Sequence, residues 1–126
     1  MSPFRQWDLV KVQLRPEDRD EHYCVVISPE EFCADEHKPL VNVLTGTTRR
    51  PAIAPDSHEV TLNGADGLER PTLFNCGHLH QIHRSKITMV AGRVSLERRR
   101  QIGRKIAATY PLLREEPGDT LVTPAG

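Results

Sequence analysis

The chain has 126 residues, with 17 basic and 17 acidic side chains that cancel at neutral pH. That length suits a single domain able to bury its own core, and the charge balance argues against a globally basic nucleic-acid binder while leaving room for a local basic patch. Cys24, Cys33 and Cys76 lack any CxxC spacing, which argues against a disulfide framework. No secretory leader is apparent and no apolar run approaches the ~20 residues of a membrane span, so a soluble, cytoplasmic protein is expected.

Trp7 to Leu14 reads as a half-buried strand, with Val10, Val12 and Leu14 on one face and Pro16 ending it. A charged loop follows, from Arg15 to Glu21. Tyr23-Cys24-Val25-Val26-Ile27 is a continuous apolar run, expected as a central strand buried on both faces. Ser28-Pro29-Glu30-Glu31 has the form of a helix start with Ser28 as N-cap, and Lys38-Pro39 keeps that helix short. Leu40 to Leu44 is a second β-branched run, followed by an expected polar loop from Thr45 to Pro51. His58 to Leu62 alternates as a strand, and Asn63 to Gly67 is dense in turn formers.

Thr72 to Cys76 is expected to run as a strand into Gly77-His78-Leu79-His80-Gln81-Ile82-His83-Arg84, where three of the six histidines gather. If this stretch is extended, His78 and His80 share one face. Histidine titrates near neutrality, so the pair suits proton transfer, a shared polar site or two ligands of a zinc ion, with His83, His22 or Cys76 as a third ligand. Ser95 caps the expected C-terminal helix through Ala108, with Leu96, Ile102, Ile106 and Tyr110 as its apolar stripe and Arg98, Arg99 and Arg100 on its solvated face. The predicted organisation is one domain over 1–113 and a frayed tail over 114–126. Strands followed by a helix imply a mainly β (α+β) fold: a small, strongly bent antiparallel sheet with the helix packed on it.

The order of these segments resembles the PemK/MazF family of toxin–antitoxin toxins over roughly residues 5 to 110. The family's opening Gly-Asp-(Ile/Val)-Val strand is matched by Trp7-Asp8-Leu9-Val10, and its Arg-Pro-Ala-Val-Val-Val-Ser by His22-Tyr23-Cys24-Val25-Val26-Ile27-Ser28. Its third strand with a threonine-bearing loop corresponds to Val41 to Thr48, and its Gly-Leu turn to Gly67-Leu68. The family's Gln-x-Arg segment falls on His78-Leu79-His80. The resemblance implies an SH3-like barrel, a homodimer, a cognate antitoxin and a metal-independent endoribonuclease. In such an enzyme the 2′-hydroxyl of single-stranded RNA attacks the adjacent phosphate and no cofactor is needed.

Carried over position by position, the resemblance implies a catalytic set of His22, Thr47, His78 and His80. Arg19, Thr48, Arg49, Arg50 and Arg84 are the expected RNA contacts. His22 stands where the family has arginine, and His78 and His80 where it has glutamine and arginine. Two other readings stay open: a catalytically degenerate RNA- or protein-binding module of the same fold, of the gyrase-poison or antitoxin-binding kind, and a histidine-ligated metal-binding protein.

Overall fold

The computed structural model describes residues 3–17, 21–47, 55–110 and 118. Six strands form one antiparallel sheet: β1 (Asp8–Val12), β2 (His22–Val26), β3 (Leu40–Thr47), β4 (Glu59–Leu62), β5 (Thr72–His83) and β6 (Ile87–Arg93). Their order across the sheet is β4-β5-β3-β2-β1-β6. A short helix, α1 (Glu30–Ala34), joins β2 to β3, and α2 (Leu96–Thr109) follows β6. The mainly β architecture with a C-terminal helix is therefore as the sequence implies, whereas the tail expected over 114–126 lies outside the described residues apart from Gly118.

The sheet is coated on both sides because its central strands carry apolar residues at successive positions. Leu9, Val25 and Leu44 face the same way and join Val60, Leu62, Phe74 and Cys76 beneath Ile102 of α2. Val10, Val12, Cys24, Val26, Val41, Val43 and Ile82 face the other way, covered by Phe4 and by Cys33 of α1. The continuous run at Tyr23–Ile27 thus forms a strand buried on both faces, as expected. For β1 the half-buried expectation is corrected, since Leu9 is as fully enclosed as Val10. A full aliphatic or aromatic side chain removed from water contributes about 1.5–3 kcal/mol, so these two layers dominate the stability of the sheet.

The sheet curls without closing. The turn after β4, a 3-10 segment from Gly64 to Asp66, meets the far edge strand β6 backbone to backbone. Gly67, at φ 99°, closes that turn in the left-handed region, and a Cβ there would stand 3.0 Å from the Ala91 carbonyl oxygen. At Gly92 a Cβ would lie 2.5 Å from the Asp66 carbonyl oxygen. Asn63 and Asp66 cap the segment reciprocally, as the density of turn formers predicts.

Several local readings change. Ser28 is not a helix cap. Its hydroxyl accepts from the Asn42 amide at 2.8 Å, pinning the β2 exit to β3, and Pro29 occupies the cap position of α1. Thr45 to Thr47 continue β3 instead of opening a loop. β6, unremarked in the sequence, pairs with β1 across two register shifts. In α2 the Ser95 cap holds, but Leu96 is 56% exposed and Ile102 carries the buried contact. Arg99 is not simply solvated, because its Nε donates to the Val94 carbonyl at 2.7 Å.

Candidate functional site

The site follows from strand register. Cys24 of β2 stands opposite Thr45 of β3, and continuing that ladder by two residues sets His22 opposite Thr47. On the other side of β3, Val43 stands opposite His80, and the same ladder sets Thr45 opposite His78. Residues opposite one another in an antiparallel ladder point to the same face. His22, Thr45, Thr47, His78 and His80 therefore share the face that carries Cys24, Val43 and Ile82. The lower half of that face is apolar and covered by Phe4 and α1, whereas His22, Thr47 and His78 at its upper half are exposed. With neighbouring strands about 4.8 Å apart, the polar half spans roughly 10 Å from β2 to β5, the scale of one or two nucleotides.

A register slip puts the histidines there. Leu79 pairs with Leu44, but Phe74 pairs with Gly46, so Thr45 on β3 is matched by a longer piece of β5. Asn75, Cys76 and Gly77 absorb the difference. Asn75 curls back so that its Oδ1 accepts from the Gly77 amide at 2.8 Å, and the Tyr110 hydroxyl donates to the Gly77 carbonyl at 2.6 Å. Phe74 and Cys76 point under α2, and after the slip His78 and His80 point to the opposite face.

The two imidazoles stack, with ring centroids 4.3 Å apart and planes 2° from parallel. Burial and, secondarily, the neighbouring His78 hold the His80 pKa below its ordinary value of 6.5. Two cations at that separation would repel by about 1–4 kcal/mol over the dielectric range from water to a protein surface. The stacked arrangement therefore disfavours the charged form of His80.

Among the described residues no group of three or more His, Cys, Asp or Glu side chains is placed to hold a metal ion. Cys76 is fully buried on the α2 side, and its thiol is pushed up to about 11, first by burial. His83 accepts from the Ser85 amide at 3.1 Å, which closes the turn into β6.

Arg84, expected at the RNA, is engaged by the carbonyls of α1 and the segment after it. Its Nε donates to the Lys38 carbonyl at 2.8 Å, and its Nη2 donates to Phe32 at 3.0 Å and Asp35 at 2.8 Å. Both terminal nitrogens also reach the Cys33 carbonyl at 3.3 Å, and the guanidinium lies 5.2 Å from the Phe4 ring centroid. The Phe32, Cys33 and Asp35 carbonyls are among those that a helix C-terminus leaves unsatisfied, and a cation there also suits the helix dipole. Arg19, Thr48, Arg49 and Arg50 lie outside the described residues. Thr45 lies on the same face, in β3 and not in the loop that its threonine-rich surroundings suggest; the alternation Val41-Val43-Thr45-Thr47 is the signal that identifies it.

Residues 5–110 match the profile of the PemK-like, MazF-like toxins of type II toxin–antitoxin systems. Among solved structures, the toxin MazF-mt6 of Mycobacterium tuberculosis superposes with a TM-score of 0.68 at 17% identity, covering 83% of this chain and 97% of that one. An endoribonuclease in complex with its cognate antitoxin, from a mycobacterial species, gives 0.69 at 14% identity over 93% of this chain and all of that one. A MazE–MazF complex from Deinococcus radiodurans gives 0.69 at 16%, covering 86% and 97%. No curated protein sequence matches. No helix among the described residues is long and apolar enough to cross a membrane.

Proposed function

The chain belongs to the PemK-like, MazF-like toxins of type II toxin–antitoxin systems, and on that premise we propose that it is an endoribonuclease acting on single-stranded RNA at the open half of the β2–β3–β5 face. The observation that carries this reading is the convergence of exposed His22, Thr47 and His78 with half-buried His80 on one sheet face. Cleavage through the 2′-hydroxyl needs a base for that proton, an acid for the departing 5′-oxygen and donors for the charge that builds on the phosphorane. His80, whose burial and whose neighbour His78 disfavour its charged form, takes the 2′-hydroxyl proton, with His78 as the alternative base beside it. The oxygen attacks phosphorus, a cyclic 2′,3′-phosphate forms, and His22 serves as the acid, giving a proton to the 5′-oxygen as the P–O bond breaks. Thr47 donates its hydroxyl to a non-bridging oxygen, and Arg49 serves as the cationic clamp.

The mycobacterial relative at 14% identity is an endoribonuclease held by its cognate antitoxin, and the Deinococcus radiodurans MazF is held by MazE. By extension we propose for this chain a cognate antitoxin, a homodimeric assembly and the inhibition of translation and growth. A second reading, RNA binding without cleavage, is favoured by one feature: His22 replaces the family's arginine, exchanging a permanent cation for a titrating one.

The test is incubation of the purified protein, with chelator present, with a mixed pool of single-stranded RNA. Discrete fragments ending in cyclic phosphate and 5′-hydroxyl are expected, and His22→Ala should slow their appearance at least about 100-fold. Binding without fragments would establish the second reading, and full activity of the His22→Ala protein would remove His22 from the mechanism.

A further inference from the structure

The stacked imidazoles have a geometry that proton transfer does not require. Residues two apart on a strand have Cα atoms about 6.5–7 Å apart, yet the ring centroids of His78 and His80 lie 4.3 Å apart and their planes differ by 2°. The rings therefore lean together into a two-layer stack running along β5. One end of that stack is closed, because the next side chain on the same face beyond His80 is the buried Ile82. The other end is open. Among the described residues of β5 nothing stands beyond His78 on its face: Asn75 is folded back onto the Gly77 amide, Cys76 points under α2, and Gly77 has no side chain. His80 is half-buried and His78 exposed, so the stack is anchored at one end and offers an aromatic face at the other.

We propose that the outer face of His78 is a stacking platform for one unpaired nucleobase of the substrate, continuing the two-ring stack that His80 and Ile82 anchor. The proposal rests on the reading that this face takes single-stranded RNA. Single-stranded RNA is bound in large part by stacking splayed bases on aromatic side chains, histidine among them, and every base offers a π face. A pre-stacked ring suits the purpose, since its rotamer is fixed by its neighbour before the base arrives and little further ordering is needed. The work is then divided along one strand: His78 positions a base through its ring, and His80 handles the proton.

A single-stranded, 2′-deoxy, mixed-sequence oligonucleotide containing 2-aminopurine separates ring from imidazole. Being uncleavable, it reports binding alone, and its fluorescence is quenched on stacking. The native protein should quench it, and His78→Ala should weaken binding about tenfold with loss of quenching. His78→Phe, which keeps a ring but neither proton nor charge, should restore both. A His78→Phe protein that binds as poorly as His78→Ala, or a native protein that produces no quenching, overturns the platform. Cleavage of unmodified RNA is scored separately. Quenching without cleavage supports the platform and removes the ribonuclease, whereas cleavage with no recovery in His78→Phe does the reverse.

Discussion

Replacing Arg84 with alanine would remove the side chain that closes the C-terminus of α1. Three of its hydrogen bonds, to Lys38, Phe32 and Asp35, are 2.8–3.0 Å long. Hydrogen bonds from a charged donor contribute about 1.5–3 kcal/mol when buried, but this guanidinium is partly in contact with water, which can replace some of what is lost. Discounting each short bond to about 1 kcal/mol, and allowing some recovery by water, gives a loss of about 2–3 kcal/mol. With an unfolding entropy near 2.1 cal/mol/K per residue, that corresponds to a fall of about 8–11 °C in Tm. Lysine keeps the charge but not the planar fork that reaches several carbonyls at once, so Arg84→Lys should fall between alanine and the native protein. Urea unfolding, with the slope checked for constancy, measures the loss. An alanine variant within about 0.5 kcal/mol of the native protein would refute the assignment. A stable variant whose RNA affinity shows a shallower salt dependence would return Arg84 to the phosphate backbone.

Gly46→Ala should destabilise the fold by about 1–3 kcal/mol, because its Cβ would stand 2.7 Å from Thr72 Cγ2 and 2.8 Å from the ring of buried Phe74. Adding Phe74→Leu should return part of the loss, and a neutral Gly46→Ala in urea unfolding would show that Phe74 is less confined than described. If His80 is the base, kcat/KM should fall as pH drops through a pKa below 6.5, since burial and then His78 disfavour its charged form. His78→Gln should move that limb upward, and an unmoved limb would uncouple the pair. Because the folded pKa lies below the unfolded one, His80 also contributes stability that is present above the unfolded pKa and lost as pH falls through the folded value. Burial raises Cys24 to about 12 and Cys76 to about 11. Both should resist alkylation by iodoacetamide at pH 8 in the native state and react once unfolded; prompt native labelling of either would contradict their burial.

The aliphatic layers were legible in the sequence because their periodicity reports directly on burial. Val10, Val12 and the Tyr23–Ile27 run need no partner to be recognised as strand, and Ser95 announces α2 through its own cap. What escaped depends on partners distant in the chain. Ser28 has the form of a cap, but Asn42 claims its hydroxyl. Arg84 has the form of a surface cation until α1 arrives with its open carbonyls. Trp7 stands at φ 73° where the family pattern carries glycine. A left-handed conformation costs a non-glycine residue about 1–2 kcal/mol. Here the indole packs on the α2-side core, and the backbone is held by bonds to Val26 and Val94. Of the site, the shared face of His78 and His80 follows from simple alternation, whereas their meeting with Thr45, Thr47 and His22 depends on ladders that no local pattern reveals.

An uninterrupted alternation along β5 would set Phe74, Cys76, His78 and His80 on one side, all of them beneath α2. The slip at Asn75–Gly77 breaks that phase, so a single strand serves two masters in succession. Its first half is held to the volume and greasiness of the α2 core. In its second half His78 and His80 face the other way, so their side chains take no part in the packing around Phe74. Exposed His78 is therefore a position where a side chain can change at small cost to folding.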